Sequence, residues 1–169
     1  IMRTQIPVAV SRVLNPLGLS WMVYLLYLVM IFLAIDLLRL IPLLRPWLHP
    51  SWPLAGLVLG VLMVIFSWGS YTYHQKVRVP LDIQVEKPLE KPLKIIGISD
   101  LHLGYTIGRD ELEGWVERIN AEKPDLVLIA GDIVDGDVRP VVEDRLAEAL
   151  NRIEAPIYAS LGNHEYLGG

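Results

Sequence analysis

Leu17–Ile35 (LGLSWMVYLLYLVMIFLAI) is 19 residues without a charge, and Pro53–Tyr73 (PLAGLVLGVLMVIFSWGSYTY) is 21 more. At a rise of about 1.5 Å per residue, each run reaches roughly the 30 Å of a bilayer's hydrocarbon core. A core helix of a soluble protein is usually shorter and keeps a polar face. Two such runs do not fit one cleavable leader. Trp21, Trp47, Trp52, Trp68, Tyr71 and Tyr73 gather towards the run ends, as an interfacial aromatic belt does. The expectation is a membrane anchor over residues 1–74, with transmembrane helices at about 17–40 and 53–74 and a lipid bilayer as partner. Between them PLLRPWLHPSWP is rich in proline and reads as a loop. Asp36 and Arg39, three apart, read as an interfacial pair.

Charge divides the chain in the same place. Residues 1–74 carry Arg3, Arg12, Asp36, Arg39 and Arg45, a net +3; the overall −4 leaves −7 for the remainder. An acidic second part lacks the clustered Lys and Arg of a nucleic-acid footprint, so no nucleic-acid partner is expected. The absence of Cys excludes disulfides and thiolate metal sites. Two spans put both ends on one side. Arg3 and Arg12 before them, with Lys76 and Arg78 after, outweigh Arg39 and Arg45, a bias of few charges that favours both ends in the cytoplasm, with the periplasmic side as the alternative. Residues 75–92 (QKVRVPLDIQVEKPLEKP) form a connector. Within it VRVPLDIQVE alternates apolar and polar residues as an edge strand does, and Pro80 is tolerated there.

From Leu93 onward the pattern changes to strands alternating with helices. LKIIGIS (93–99), DLVLIAG (125–131) and PIYASLG (156–162) read as buried strands. DELEGWVERINAE (110–122) reads as a helix with Leu112, Trp115, Val116 and Ile119 on one face and acids in its first turn. VVEDRLAEALNRI (141–153) reads as a second helix, with Pro140 near its start and Val142, Leu146, Leu150 and Ile153 as its stripe. The fold class is therefore α/β, built on a β-α-β-α-β unit with a parallel sheet covered on both faces.

All three strands end in chemistry-bearing residues. The first runs into Asp100-Leu101-His102, the second into Gly131-Asp132-Ile133-Val134-Asp135, the third into Gly162-Asn163-His164-Glu165. A parallel sheet brings these ends to one edge, where open α/β folds carry their sites. Carboxylate, imidazole and amide groups suit divalent metals such as Mn, Fe or Zn. Two ions about 3.5–4 Å apart can hold a hydroxide between them and clamp a phosphoryl group. Asp-x-His, Gly-Asp and Asn-His are each common turn or surface patterns alone. Their succession at three strand ends is the signal, and two of the chain's four histidines sit there.

Together SDLHLG, AGDIVDG and GNHE resemble the first three blocks of the calcineurin-like metallophosphoesterases. The arrangement is similar to a bacterial subgroup whose catalytic domain follows N-terminal transmembrane helices. The resemblance implies that residues 93–169 are the N-terminal part of the catalytic domain, the first half of a sheet sandwich. It implies two divalent metal ions, with Asp100 and His102 on the first, Asp132 bridging both and Asn163 on the second. His164 would lie beside the substrate and protonate the leaving oxygen or stabilise the phosphoryl group. Asp135 and Glu165 are candidates for orienting partners, with a solvated loop charge as the alternative for each. The family's later single His and Gly-His-x-His block do not occur before Gly169, so these 169 residues alone are expected to be inactive or nearly so.

The implied function is membrane-anchored, metal-dependent hydrolysis of a phosphodiester or phosphomonoester at a bacterial inner membrane, on a phosphate-ester substrate that includes lipid-linked ones. A lipid-linked nucleotide pyrophosphatase is an alternative within the family. A non-catalytic membrane protein keeping a degenerate phosphoesterase fold for binding is the alternative from another class.

Overall fold

The computed structural model describes residues 6–168. Arg3, one of the flanking charges, and Gly169, the last residue of the expected catalytic part, lie outside them. The chain forms two compact units. One runs from Gly18 to Val85. The other joins the chain through Leu17 to the chain from Glu86 onward.

Helix α1 spans Val8–Leu38 and α2 spans Trp52–His74, both long and apolar enough to cross a membrane. Ser51 starts α2: its hydroxyl accepts the Leu54 N–H at 3.4 Å, and Pro53 sits where a missing N–H costs nothing. α1 begins nine residues before the charge-free run and passes through Pro16, so the helix reaches beyond the apolar stretch at its N-terminal end. Val58 and Leu62 are the buried residues of α2, and Ser11 is that of α1. Tyr24 and Phe66 stack with ring centroids 4.0 Å apart. Arg39 donates to Asp36 at 2.8 Å, the pairing read from their spacing, and also to the Leu48 carbonyl at 2.7 Å.

The connector departs from expectation. No strand forms over residues 77–86, and Val77, Val79, Leu81 and Ile83 stand exposed. Alternation makes a segment able to be a strand. Only a neighbouring strand in register satisfies its backbone groups, and none pairs with it among the described residues.

The second unit holds the sheet. Strands β1 (Ile95–Ile98), β2 (Leu126–Ala130) and β3 (Ile157–Ser160) lie in the order β1-β2-β3, all parallel. Between β1 and β2 runs α3 (Arg109–Ala121), with Asp110 and Glu111 in its positive first turn and Arg118 in its last. Leu112, Val116 and Ile119 from α3 pack on Val127 and Ile129 of β2, with Ile96, Ile98 and Ile157 against them. Each such side chain, fully buried, contributes about 1.5–3 kcal/mol.

The segment expected to be one helix is two: α4 (Arg139–Glu143) and α5 (Leu146–Leu150). Arg145 between them adopts left-handed backbone, φ 53°. The break turns α5 so that Leu146 and Ala149 are completely buried, while Val142 of the expected stripe is 73% exposed. Tertiary packing overrides an unbroken periodicity. A second correction concerns the sheet. Helices cover one face, whereas Ile95, Leu128 and Tyr158 on the other are 48%, 43% and 65% exposed among the described residues. α6 (Asn163–Gly168) follows β3 directly.

Candidate metal centre

The site begins with an alternation inside the first motif. Leu101 and Leu103 are buried at 6% and 2% exposure, which anchors the backbone on both sides of His102 in the hydrophobic core. Main-chain bonds fix the segment against the end of β2. The His102 N–H donates to the Asp132 carbonyl at 3.0 Å, the Leu103 N–H to the Ile133 carbonyl at 2.8 Å, and the Asp135 N–H to the Leu103 carbonyl at 3.0 Å.

Backbone shape concentrates here. Asp100, His102 and Asp132 have φ of 55°, 44° and 50°. This left-handed region costs an L-residue roughly 1–2 kcal/mol, and Asp and His are among the residues more often found there. Two glycines are forced by contact. A Cβ on Gly131, itself at φ 75°, would come within 2.7 Å of the Gly162 Cα, and a Cβ on Gly162 would overlap the Asp132 carboxylate. The ends of β2 and β3 therefore meet backbone to backbone.

That meeting brings the side chains together. His102, Asp132 and His164 each offer a ligand atom, all within 4.8 Å of one another. The two imidazoles stand edge to face with centroids 4.4 Å apart. Asp135 lies against both, its Oδ1 at 3.4 Å from His164 Nδ1 and 3.7 Å from His102 Nδ1. Asp100 Oδ1 lies 3.8 Å from His102 Nε2, with a largely exposed carboxylate. Asp132 Oδ1 accepts the His164 N–H at 2.9 Å. Asn163 opens α6 one residue before His164, with its side chain exposed. All five residues named as ligands or as the catalytic group thus sit at the strand ends. The carboxylate and imidazole group within 4.8 Å contains His164, which the resemblance placed beside the substrate, and does not contain Asp100.

Glu165 acts inside the scaffold. One carboxylate oxygen accepts the N–H groups of Asp132 at 3.0 Å and Gly162 at 2.7 Å, and the other accepts that of Val134 at 3.0 Å. These amides, Val134 foremost, hold its pKa down to about 2 against burial, which opposes the shift. It ties the β2 end to the β3 end and is not a solvated loop charge.

The sequence reading did not single out Tyr105, Asp137 and Arg139. The Tyr105 hydroxyl donates to Asp137 at 2.8 Å and accepts from Arg139 at 3.0 Å. Asp137 also accepts the Arg139 N–H at 3.0 Å. The Arg139 guanidinium, above all, depresses the Asp137 pKa. The available signal was an Asp-x-Arg turn directly after the metal motif.

The donor set fits a divalent cation. Bonds of about 2.0–2.2 Å to His and Asp put ligand atoms some 3–4.3 Å apart, close to the separations here. Borderline metals take this mixture of imidazole and carboxylate.

The profile of the family described as Calcineurin-like phosphoesterase matches residues 93–169. An uncharacterized metallophosphoesterase of Aquifex aeolicus is 41% identical over 91 residues, 52% of this chain and 34% of the relative. A transmembrane protein with metallophosphoesterase domain from Danio rerio is 32% identical over 115 residues, 66% of this chain and 26% of the relative. The UDP-2,3-diacylglucosamine pyrophosphatase of Chlamydia trachomatis is 37% identical over 78 residues, 44% of this chain and 23% of the relative. The chain thus spans about a quarter to a third of the length of these relatives. No solved structure shows a significant match. Residues 93–169 are thus the part of the chain that matches the calcineurin-like phosphoesterase family.

Proposed function

We propose that the protein is a membrane-anchored, metal-dependent phosphoesterase. The observation that carries this reading is the trio His102, Asp132 and His164, gathered where three parallel strands end. Divalent ions bound there would polarise phosphoryl oxygens and supply a nucleophile from water at neutral pH. Asp100 and His102 would hold one ion, Asp132 would bridge to a second, and Asn163 would serve the second. His164, with Asp135 at 3.4 Å from its Nδ1, would keep a proton donor aimed at the leaving oxygen. Asp135 sets the orientation of that ring, as carboxylates do for functional imidazoles. Residues 1–74 would be the anchor, 75–92 the connector and 93–169 the catalytic part.

Within this reading the favoured substrate class is a lipid-linked phosphodiester or pyrophosphate. Two charge-free helices in the same chain support it, as does similarity to a relative named for cleaving an acylated sugar nucleotide. Anchoring would then hold the enzyme on the membrane in which such a substrate is concentrated.

The test uses the full-length protein in detergent. Metal content is measured beside Mn-dependent hydrolysis of bis-p-nitrophenyl phosphate and of the monoester. Near two metals per chain is expected. Asp132→Asn should lose turnover and most of its metal, because the bridge loses a charge. His164→Ala should lose rate but keep its metal. Metal loss in His164→Ala would make this residue a ligand. A folded protein with neither metal nor turnover would favour the non-catalytic binding alternative.

A further inference from the structure

We propose that the N-terminal end of α1 is a positioning element for the loop that carries Asp135, acting through Arg12 and Arg139. Arg12 lies on α1, five residues before the charge-free run begins at Leu17. Its Nη1 and Nη2 donate to the two oxygens of Asp144 at 2.8 and 2.7 Å. This is the two-pronged fork that fixes direction as well as distance. Glu143 adds a second carboxylate at 3.9 Å. The Asp144 backbone carbonyl also accepts from Arg109 of α3 at 3.1 Å.

Arg139, the first residue of α4, holds the chain just before α1. Its Nη1 donates to the Ile6 carbonyl at 2.9 Å. Its Nε and Nη2 bind Asp137, and Nη2 also reaches the Tyr105 hydroxyl. Four of its five N–H groups are thereby committed. A guanidinium so occupied has no free fork for a phosphoryl group, which separates a positioning role from substrate binding. α4 is therefore held at Arg139 through Ile6 and just past its end at Asp144 through Arg12. Asp137 stands two residues from Asp135, and Asp135 contacts both site imidazoles. Tyr105 reaches Asp137 from the loop that follows β1. The segment from Ile6 to Arg12 thus sets where α4 begins, and α4 sets where the Asp135 loop ends.

The kinetic half of the test rests on the phosphoesterase reading; the structural half does not. Amide hydrogen exchange is measured on the full-length protein in detergent, for wild type, Arg12→Ala, Asp144→Ala, the double variant and Tyr105→Phe. The Asp135 N–H bonds to Leu103 and the Asp137 N–H to Asp135, so both report on the loop. In Arg12→Ala, exchange over residues 134–138 should rise about two- to thirtyfold. The double variant should be no worse than the worse single one. Tyr105→Phe, which leaves the Arg12 fork intact, should loosen the same amides while residues 141–145 stay protected. For bis-p-nitrophenyl phosphate, kcat in Arg12→Ala should fall while KM stays within about twofold. Changes confined to residues 8–12 and 140–145, with loop amides and kcat as in wild type, would overturn the proposal. So would unchanged loop exchange in Tyr105→Phe, whether or not Arg12→Ala folds. If the wild type cleaves no ester, the phosphoesterase reading fails and the exchange data alone judge the coupling.

Discussion

Glu165 shows how much a single carboxylate can organise. It satisfies three backbone donors, two just past the end of β2 and one just past the end of β3. Glu165→Gln keeps the shape but turns an N–H₂ towards one of those donors. Each buried amide left unsatisfied costs about 1–3 kcal/mol, so the variant should lose stability by that order, read from a denaturant midpoint. The sign of the pH dependence follows from the lowered pKa. In metal-free protein the Glu165 contribution is fully present above its ordinary value of 4.5 and is lost as the pH falls towards about 2. Stability of the Gln variant should therefore change less over that window than wild type. At this scale the sequence was informative about identity more than role. Asp100, His102, Asp132 and His164 stand out because their residue types bind metals and each follows an apolar run. Glu165 was ambiguous because nothing in GNHE says that two of its three partners are amides 31 and 33 residues earlier.

The elements divide by how local their causes are. β1, β2 and β3 were legible because a continuous apolar run between turn residues has few other homes. α3 was legible because its apolar stripe and the acids of its first turn agree. The α4–α5 break was not, because the periodicity runs through it and the cause is long-range: Asp144 is claimed by Arg12 and Arg109 from two other helices. Arg145 then bears the left-handed turn, and its side chain pairs with Glu148 at 3.8 Å, both exposed. Glycine adopts that conformation without the Cβ penalty, although it loses more entropy on folding. Arg145→Gly should leave stability unchanged or raise it by up to about 1 kcal/mol. Helical continuity through residue 145 in solution, seen as a run of helical carbon shifts, would contradict the broken geometry. The connector failed for the opposite reason: its local pattern is sound, and the partner that would make it a strand is not local.

At the scale of the molecule, two chemistries share one chain. The charge-poor part offers exposed Leu, Val, Met and aromatic side chains, and the acidic part offers carboxylate and imidazole groups that could hold a cation. If the helices anchor the protein, it should sediment with membranes through alkaline carbonate and be released only by detergent. Release by salt alone would mean surface attachment. The contrast in charge is plain in the sequence, whereas the clasp of Arg12 on Asp144 is not, since a lone arginine before an apolar run also reads as an orientation signal. A different lesson comes from the paired glycines. Positions 131 and 162 are held by exclusion: the space a methyl group would need is filled by the opposing backbone and the Asp132 carboxylate. Any selection for folding alone, blind to chemistry, would keep both. An alignment in which they never vary would then report the closeness of two strand ends, and a mutational scan that marked them as essential would be measuring sterics rather than catalysis.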